Sequence, residues 1–168
     1  MIKHPRITAL VTTITVLALA GIAGPALSDR GGRLMKASLS GFGEVPAVSS
    51  TGTGELLARI ANDESSIEYT LSYQDLEGTA MAAHIHLGQP GVNGGVIAFL
   101  CGGGGKPACP ASGSVSGTIT EADVIGPAAQ GIAAGELAEV ITAMRQGMTY
   151  VNVHTSKHPG GEIRGQIK

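Results

Sequence analysis

The chain has 168 residues, of which 14% are charged and 3% aromatic, and its formal net charge is −2. A weakly acidic chain with few aromatic residues lacks the basic patch and the stacking surface that nucleic-acid binding requires, so nucleic acid is not an expected partner. The length fits one ordinary domain that can bury a hydrophobic core.

The N-terminus has the three parts of a secretory signal peptide. Basic residues precede an apolar run over residues 7–23, and small residues then form a cleavage site ending at Ser28. We therefore predict a signal peptide over residues 1–28 and a single mature domain over residues 29–168, periplasmic or secreted, with nine basic against 13 acidic residues and a net charge near −4. The alternative is an uncleaved anchor, because the apolar run approaches the ~20 residues that span a bilayer. No other run is long enough to span a membrane.

Short alternating runs separated by Gly, Pro, Ser and Asn make up the rest of the chain. They predict strands over residues 34–39, 56–61, 67–73, 83–87, 96–101, 112–120, 149–155 and 162–167. One helix is predicted over residues 135–147, where Leu137, Val140, Ile141 and Met144 recur at helical spacing. Seven or eight strands with one short helix indicate an all-β fold, an antiparallel Greek-key β-sandwich, with an open barrel as the alternative.

Cys101 and Cys109 are the only cysteines, and they flank a glycine-rich loop. In an exported chain this arrangement predicts a disulfide. Closing so short a loop stabilises the fold by about 2 to 3 kcal/mol in the chain-entropy description. The competing interpretation, a thiolate metal site, matches no zinc-ligand spacing.

Two of the five histidines, His84 and His86, lie two residues apart in a predicted strand and therefore share a face. Their Cβ atoms are about 6.5 to 7 Å apart by strand geometry, from where two imidazoles can converge on a metal. His154, on the outward face of a later strand, supplies a third ligand, and His158 in the next turn is a candidate fourth. An all-imidazole set suits copper, with zinc as the alternative. The plainer interpretation is solvated strand histidines.

Other polar residues occupy outward positions on the last two strands. Tyr150, Asn152 and Glu162 are candidates for orienting the imidazoles, and Arg164 is a candidate for attracting an anion. For Glu162 and Arg164 we favour the alternative of a surface cross-strand network. The chain has no hydrolase nucleophile motif and no phosphate-binding loop, so any catalysis is expected to be redox chemistry at the metal.

Several motifs carry a family resemblance. They are Gly41-x-x-Glu44-Val45-Pro46, His84-Ile85-His86-x-Gly88, Gly91-x-Asn93-Gly94, and Tyr150-Val151-Asn152-Val153-His154-Thr155 with Pro159-Gly160-Gly161-Glu162-Ile163-Arg164-Gly165-Gln166. With these motifs the chain resembles the CHRD domain, first named from the chordin proteins, over about residues 34–167. The resemblance implies an extracytoplasmic β-sandwich and does not imply an established enzymatic activity.

The chain is also similar, to a lesser degree, to copper/zinc superoxide dismutase. That resemblance implies that His84, His86 and His154 match copper ligands and that Arg164 matches the anion guide. The chain departs from that family because it lacks the zinc loop with its histidines and aspartate.

The leading functional prediction is an exported copper-binding protein that uses its histidine cluster in metal storage, delivery or redox protection. The alternative is a metal-free extracytoplasmic binding or structural module, whose polar face contacts a partner protein or an envelope component; a homo-oligomer is also a possible assembly. A superoxide dismutase-like enzyme is the third hypothesis, and we rank catalysis below simple binding.

Overall fold

The computed structural model describes residues 32–168, so the predicted signal peptide or anchor lies outside the described residues. The strands are β1 Gly32–Ser40, β2 Thr53–Ala61, β3 Ile67–Gln74, β4 Ala80–Leu87, β5 Val96–Cys101, β6 Gly113–Ile119, β7 Thr149–Thr155 and β8 Ile163–Gln166. The α-helix α1 covers Leu137–Arg145, and short 3-10 helices cover Gly41–Gly43, Glu121–Asp123 and Ala128–Gln130. Between residues 32 and 168, no helix is long and apolar enough to cross a membrane.

The strands form one antiparallel sheet in the order β5-β4-β7-β8-β1-β2-β3-β6. Three consecutive strands, β1 to β3, are neighbours, whereas β7 lies between β4 and β8, and β6 returns to the edge beside β3. These crossing connections are of the Greek-key type. The edge strands β5 and β6 approach each other, so the sheet is nearly closed around its core. The predicted all-β, antiparallel fold with one short helix is confirmed.

The core is formed by the apolar residues that recur with strand and helix periodicity in the sequence. The predicted inward residues of β3 are all buried, namely Ile67, Tyr69, Leu71 and Tyr73. The predicted apolar stripe of α1 is buried too, namely Leu137, Val140, Ile141 and Met144. The hydroxyl of Tyr69 donates to the carbonyl of Leu100 across the core at 2.7 Å, so this buried hydroxyl is satisfied and links β3 to β5.

The outward face of β7 is covered as well. Six of the seven residues of β7 are buried, and only His154 is half-buried, so this strand is enclosed on both faces. Two connections cover its outward side. The amide of Asn93 donates to the carbonyl of Val45 at 2.8 Å and ties the β4–β5 connection to the β1–β2 connection. The polar outward side chains of β4, β7 and β8 therefore lie in an enclosed layer rather than on an open surface.

The predicted disulfide between Cys101 and Cys109 is present. The loop that it closes is also fixed by Lys106, whose ammonium group donates to the carbonyl of Thr118 at 2.8 Å and lies 2.7 Å from an Asp123 carboxylate oxygen. These contacts hold the loop beside the edge strand β6.

Candidate metal centre

Strand pairing between β4 and β7 brings the three predicted imidazoles together. His84 lies opposite Asn152, and His154 lies opposite Ala82, one step along the same outward face. Because Ala82 has only a methyl group, the His154 ring can extend across it toward His84. One ring nitrogen from each of His84, His86 and His154 lies within 4.8 Å of the other two.

Backbone carbonyls determine which nitrogen each ring presents to the cluster. His86 Nδ1 lies 3.0 Å from the carbonyl oxygen of Gly94, and His154 Nδ1 lies 2.8 Å from that of Pro159. Because a carbonyl oxygen only accepts, both Nδ1 atoms carry the proton and both Nε2 atoms carry a lone pair in the neutral rings. Metal-bound histidines are usually oriented in this way, by a hydrogen bond from the ring nitrogen that does not bind.

The Nε2 atom of His86 is a buried acceptor without a partner. The residue is 7% exposed, and no described residue donates a hydrogen bond to this atom. Leaving a buried polar atom unpaired costs about 1–3 kcal/mol, so such an atom in a folded protein requires an explanation. A cation bound between the imidazoles would use this lone pair.

The spacing of the ring nitrogens is compatible with a transition metal. His84 Nδ1 and His154 Nε2 are 3.1 Å apart. A metal bonded to nitrogen at about 2.0–2.1 Å holds two imidazole nitrogens about 3.3 Å apart in a tetrahedral site and about 4.1 Å apart when they lie opposite each other. Since the widest separation in the cluster is at most 4.8 Å, side-chain movements on the order of 1 Å would complete the site.

Burial keeps His84 and His86 neutral. It lowers the pKa of His84 to about 4, with further lowering by the neighbouring His154 and His86. Burial is also the largest cause that lowers the pKa of His86, whereas a hydrogen bond to Gly94 and the nearby Asn152 side chain act to raise it. At pH 7 both rings are therefore uncharged, which is the form that binds metals.

Tyr150 and Arg164 form one wall of the cluster. The Tyr150 ring stacks on His86 with centroids 4.7 Å apart and an interplanar angle of 5°. The Arg164 guanidinium lies over the same tyrosine ring, 3.3 Å from its centroid, and donates to Asn93 at 3.0 Å and to the carbonyl of Val92 at 2.8 Å. Arg164 is only 3% exposed. To guide an anion or to form a surface ion pair, the guanidinium would have to be exposed. The structure instead makes Arg164 a support for Tyr150 and for the loop that covers it.

Asn152 and Glu44 lie behind the imidazoles. Asn152 Oδ1 is 3.1 Å from His154 Nε2, but with the His154 proton on Nδ1 both atoms are acceptors, so Asn152 does not orient this ring through a hydrogen bond. Its amide hydrogen-bonds to the carboxyl group of Glu44. Burial raises the pKa of Glu44 to about 7, although Arg164 acts to lower it. We predicted no role for Glu44 at this site. The sequence signal that could have indicated such a role is its place in the Glu44-Val45-Pro46 motif.

Two predicted residues do not join the cluster. Glu162 is fully buried, and its carboxylate accepts hydrogen bonds from Ser50 at 2.7 Å, the Glu77 backbone at 2.6 Å and Thr155 at 2.7 Å. It is therefore neither a surface residue nor in contact with an imidazole of the cluster. His158 Nε2 lies 3.2 Å from a carboxylate oxygen of Glu77, outside the three-histidine group.

Glu44→Gln is expected to change how stability depends on pH. The folded-state pKa near 7 lies above the unfolded value of 4.5, so the folded chain retains a proton that the unfolded chain loses. The wild-type free energy of unfolding should therefore fall, relative to the variant, as the pH rises from about 4.5 to 7, by about 2 kcal/mol after solvent screening. Urea unfolding of both proteins between pH 4 and 8 measures this difference. Titration of the histidines contributes to both profiles and cancels when one is subtracted from the other. Parallel profiles would contradict the prediction.

Comparison with known proteins supports one assignment. The family model for the CHRD domain matches residues 35–167, which is nearly all of the described chain. No curated protein and no solved structure matches the chain. CHRD domains are extracellular modules, in keeping with the disulfide. On the extent of this match, the chain belongs to the CHRD domain family.

Proposed function

We propose that this CHRD domain is an extracytoplasmic binding module whose binding site is a three-imidazole metal centre. The observation that supports it most directly is the buried, unpartnered Nε2 of His86, on a ring that has one nitrogen within 4.8 Å of a nitrogen of His84 and of His154. Carbonyl groups of Gly94 and Pro159 hold two of the rings in the binding tautomer.

Copper is the metal we propose, and zinc is the alternative. Three neutral imidazoles without a carboxylate or thiolate suit Cu(II) and Zn(II) better than Mg(II) or Ca(II), which prefer oxygen ligands. The affinity order for divalent metals places Cu(II) above Zn(II). With three protein ligands, one position on the metal stays open for water or another small ligand.

Metal storage, delivery or redox protection would fit such a site. The half-buried ring of His154 gives the ion access to the centre, whereas the His84 and His86 side chains are buried. Reversible loading through an accessible side is what storage and delivery require. A superoxide dismutase-like activity would demand that the same ligands hold both oxidation states of copper, and we rank it below binding.

Copper titration of the purified mature protein tests the proposal. We expect one equivalent of Cu(II) to bind and to give an electron paramagnetic resonance spectrum with nitrogen hyperfine coupling from imidazole. The double variant His84→Ala/His86→Ala should lose this spectrum, while its circular dichroism shows that it is folded. Absence of the spectrum in the wild type, or its persistence in the folded double variant, would refute the metal centre.

A metal-free binding module is the second candidate, and two observations favour it. His84 Nδ1 and His154 Nε2, 3.1 Å apart, can hydrogen-bond to each other, so these two rings do not require an ion. Phe42 is 77% exposed on the 3-10 helix that packs against β8, so its ring is available for an apolar contact with a partner. A negative copper titration, together with loss of partner binding or self-association in Phe42→Ser, would favour this function.

A further inference from the structure

Phe99 connects the metal centre to the neighbouring strand. It lies on β5 directly opposite His84 of β4. The two rings meet edge to face, with centroids 4.4 Å apart and an interplanar angle of 90°. His84 is thus held between Phe99 and His154, whose ring centroid is 4.8 Å away. Any displacement of the phenyl ring would change the space available to the His84 imidazole.

The glycine loop after β5 packs directly on the Phe99 ring. A Cβ atom on Gly103 would collide with Cε1 of Phe99, and one on Gly104 would lie 2.8 Å from Cδ2. Gly104 also has a φ of +58°, in the left-handed region that glycine tolerates without strain. Only bare backbone fits here, so the loop acts as a close cover over the ring.

The disulfide holds this loop in place. Cys101 ends β5, two residues after Phe99, and its bond to Cys109 closes the loop that contains both glycines. Within the loop, Gly102 N–H donates to the carbonyl of Pro107 at 2.8 Å. The disulfide is the covalent constraint on this loop, and it adds to the hydrogen bonds within the loop and to the contacts of Lys106.

We propose that Phe99 is a positioning residue for His84, and that the Cys101–Cys109 disulfide sets the metal affinity of the centre by holding the glycine loop against Phe99. This rests on the proposed function. In the oxidised protein the clamped phenyl ring confines His84 to the orientation that faces His86 and His154. In the reduced protein only non-covalent contacts, those of Lys106 and the hydrogen bonds within the loop, hold the loop, so it moves away from the ring more readily and His84 gains alternative orientations. The disulfide therefore makes metal binding sensitive to the redox state.

The redox step is an ordinary thiol–disulfide exchange with a dithiol reductant. Cys101 is fully buried and Cys109 is half-buried, so a thiolate of the reductant attacks Sγ of Cys109. The S–S bond breaks, and the Cys101 sulfur leaves as a thiolate and takes up a proton. The second thiol of the reductant then displaces Cys109 as a thiol and closes the reductant's own disulfide. The protein gains two electrons and two protons, and the dithiol loses both.

Nuclear magnetic resonance of the metal-free protein tests the positioning step without depending on metal binding. We expect the His84 ring Hε1 and Cε1 resonances to shift on reduction, because the edge-to-face contact with Phe99 is lost. In Phe99→Leu the same resonances should not respond to reduction. Unchanged His84 resonances in reduced, folded wild-type protein would overturn the proposal, whatever the protein binds.

Titration with Zn(II) alone tests the consequence for affinity and avoids copper reduction by thiols. The thiol-free pair Cys101→Ala/Cys109→Ala should bind Zn(II) about tenfold more weakly than the oxidised wild type, a change of about 1.4 kcal/mol. On a Phe99→Leu background, the same pair should change the affinity less than twofold, as a double-mutant cycle requires for coupling through Phe99. Equal losses on both backgrounds would overturn the route through Phe99.

A second variant covers the case in which the cysteine pair does not fold. Gly103→Ala leaves the disulfide intact and displaces the phenyl ring, so it should also weaken Zn(II) binding about tenfold and shift the His84 resonances. Unaltered affinity in folded Gly103→Ala would count against the positioning role. If the oxidised wild type binds no metal although its His84 resonances respond to reduction, the proposed function and the affinity switch fail together, and only the positioning of His84 stands.

Discussion

His86→Ala is expected to weaken metal binding by at least about 100-fold, which corresponds to roughly 2.7 kcal/mol. The substitution removes one of three imidazole ligands, and the ligand it removes is the one whose lone pair has no other partner. The two remaining imidazoles would form fewer bonds to the ion, so the ion would dissociate more readily. Isothermal titration with Cu(II) or Zn(II) measures the effect.

His158→Ala is the matched control for this substitution. His158 lies four residues after His154, yet its ring contacts Glu77 and not the cluster. We expect its replacement to change metal affinity less than twofold. A loss in His158→Ala equal to that in His86→Ala would show that the three-histidine centre is not the binding site. Thermal unfolding of both variants separates lost affinity from lost fold.

Glu162→Ala is expected to lower the free energy of unfolding by about 3 kcal/mol and to leave metal affinity unchanged. The fully buried carboxylate accepts hydrogen bonds from Ser50, the Glu77 backbone and Thr155, and alanine would leave all three donors unpaired. Burial acts to raise the pKa of Glu162, but these hydrogen bonds together lower it below its usual value. The stabilisation is therefore present above the unfolded pKa of 4.5 and is lost as the pH falls through the folded-state pKa.

Glu162→Gln provides the control at nearly the same volume. Its amide oxygen still accepts from one donor, so the loss should be about half that of Glu162→Ala. Urea unfolding at pH 7 and Zn(II) titration measure the two expectations separately. A tenfold loss of metal affinity in folded Glu162→Ala would contradict the structural role and favour a role in orienting an imidazole.

Strand positions were the most predictable feature of the fold. The predicted strands over residues 96–101 and 149–155 coincide with β5 and β7, and the predicted helix contains α1. These segments combine β-branched or helix-periodic apolar residues with turn formers at their ends, so local pattern and burial favour the same structure. The strand of the histidines begins earlier than predicted, at Ala80, because Ala80, Met81 and Ala82 show no alternation of apolar and polar residues that would predict a strand.

The pairing order of the strands is less accessible from the sequence. His84 and His86 share a face because strand side chains alternate, and this follows from their spacing alone. Their meeting with His154 depends on β7 lying beside β4, although β5, β6 and α1 intervene in the chain. The motif resemblance supported an all-β sandwich, but a pattern of strands does not by itself state which strands are neighbours.

The all-β class, the disulfide and the shared face of His84 and His86 were predictable from the amino-acid sequence, because each follows from periodicity or spacing within short segments of the chain. The environment of the polar residues was not, since it depends on which distant segments cover them. The same alternation that places Arg164 outward says nothing of the loops that bury it against Tyr150. Glu162 precedes the first residue of β8, so strand alternation does not apply to it, and Gly161, at φ +125°, precedes it. Coverage by distant segments, not local pattern, separates a solvated surface from an enclosed metal centre.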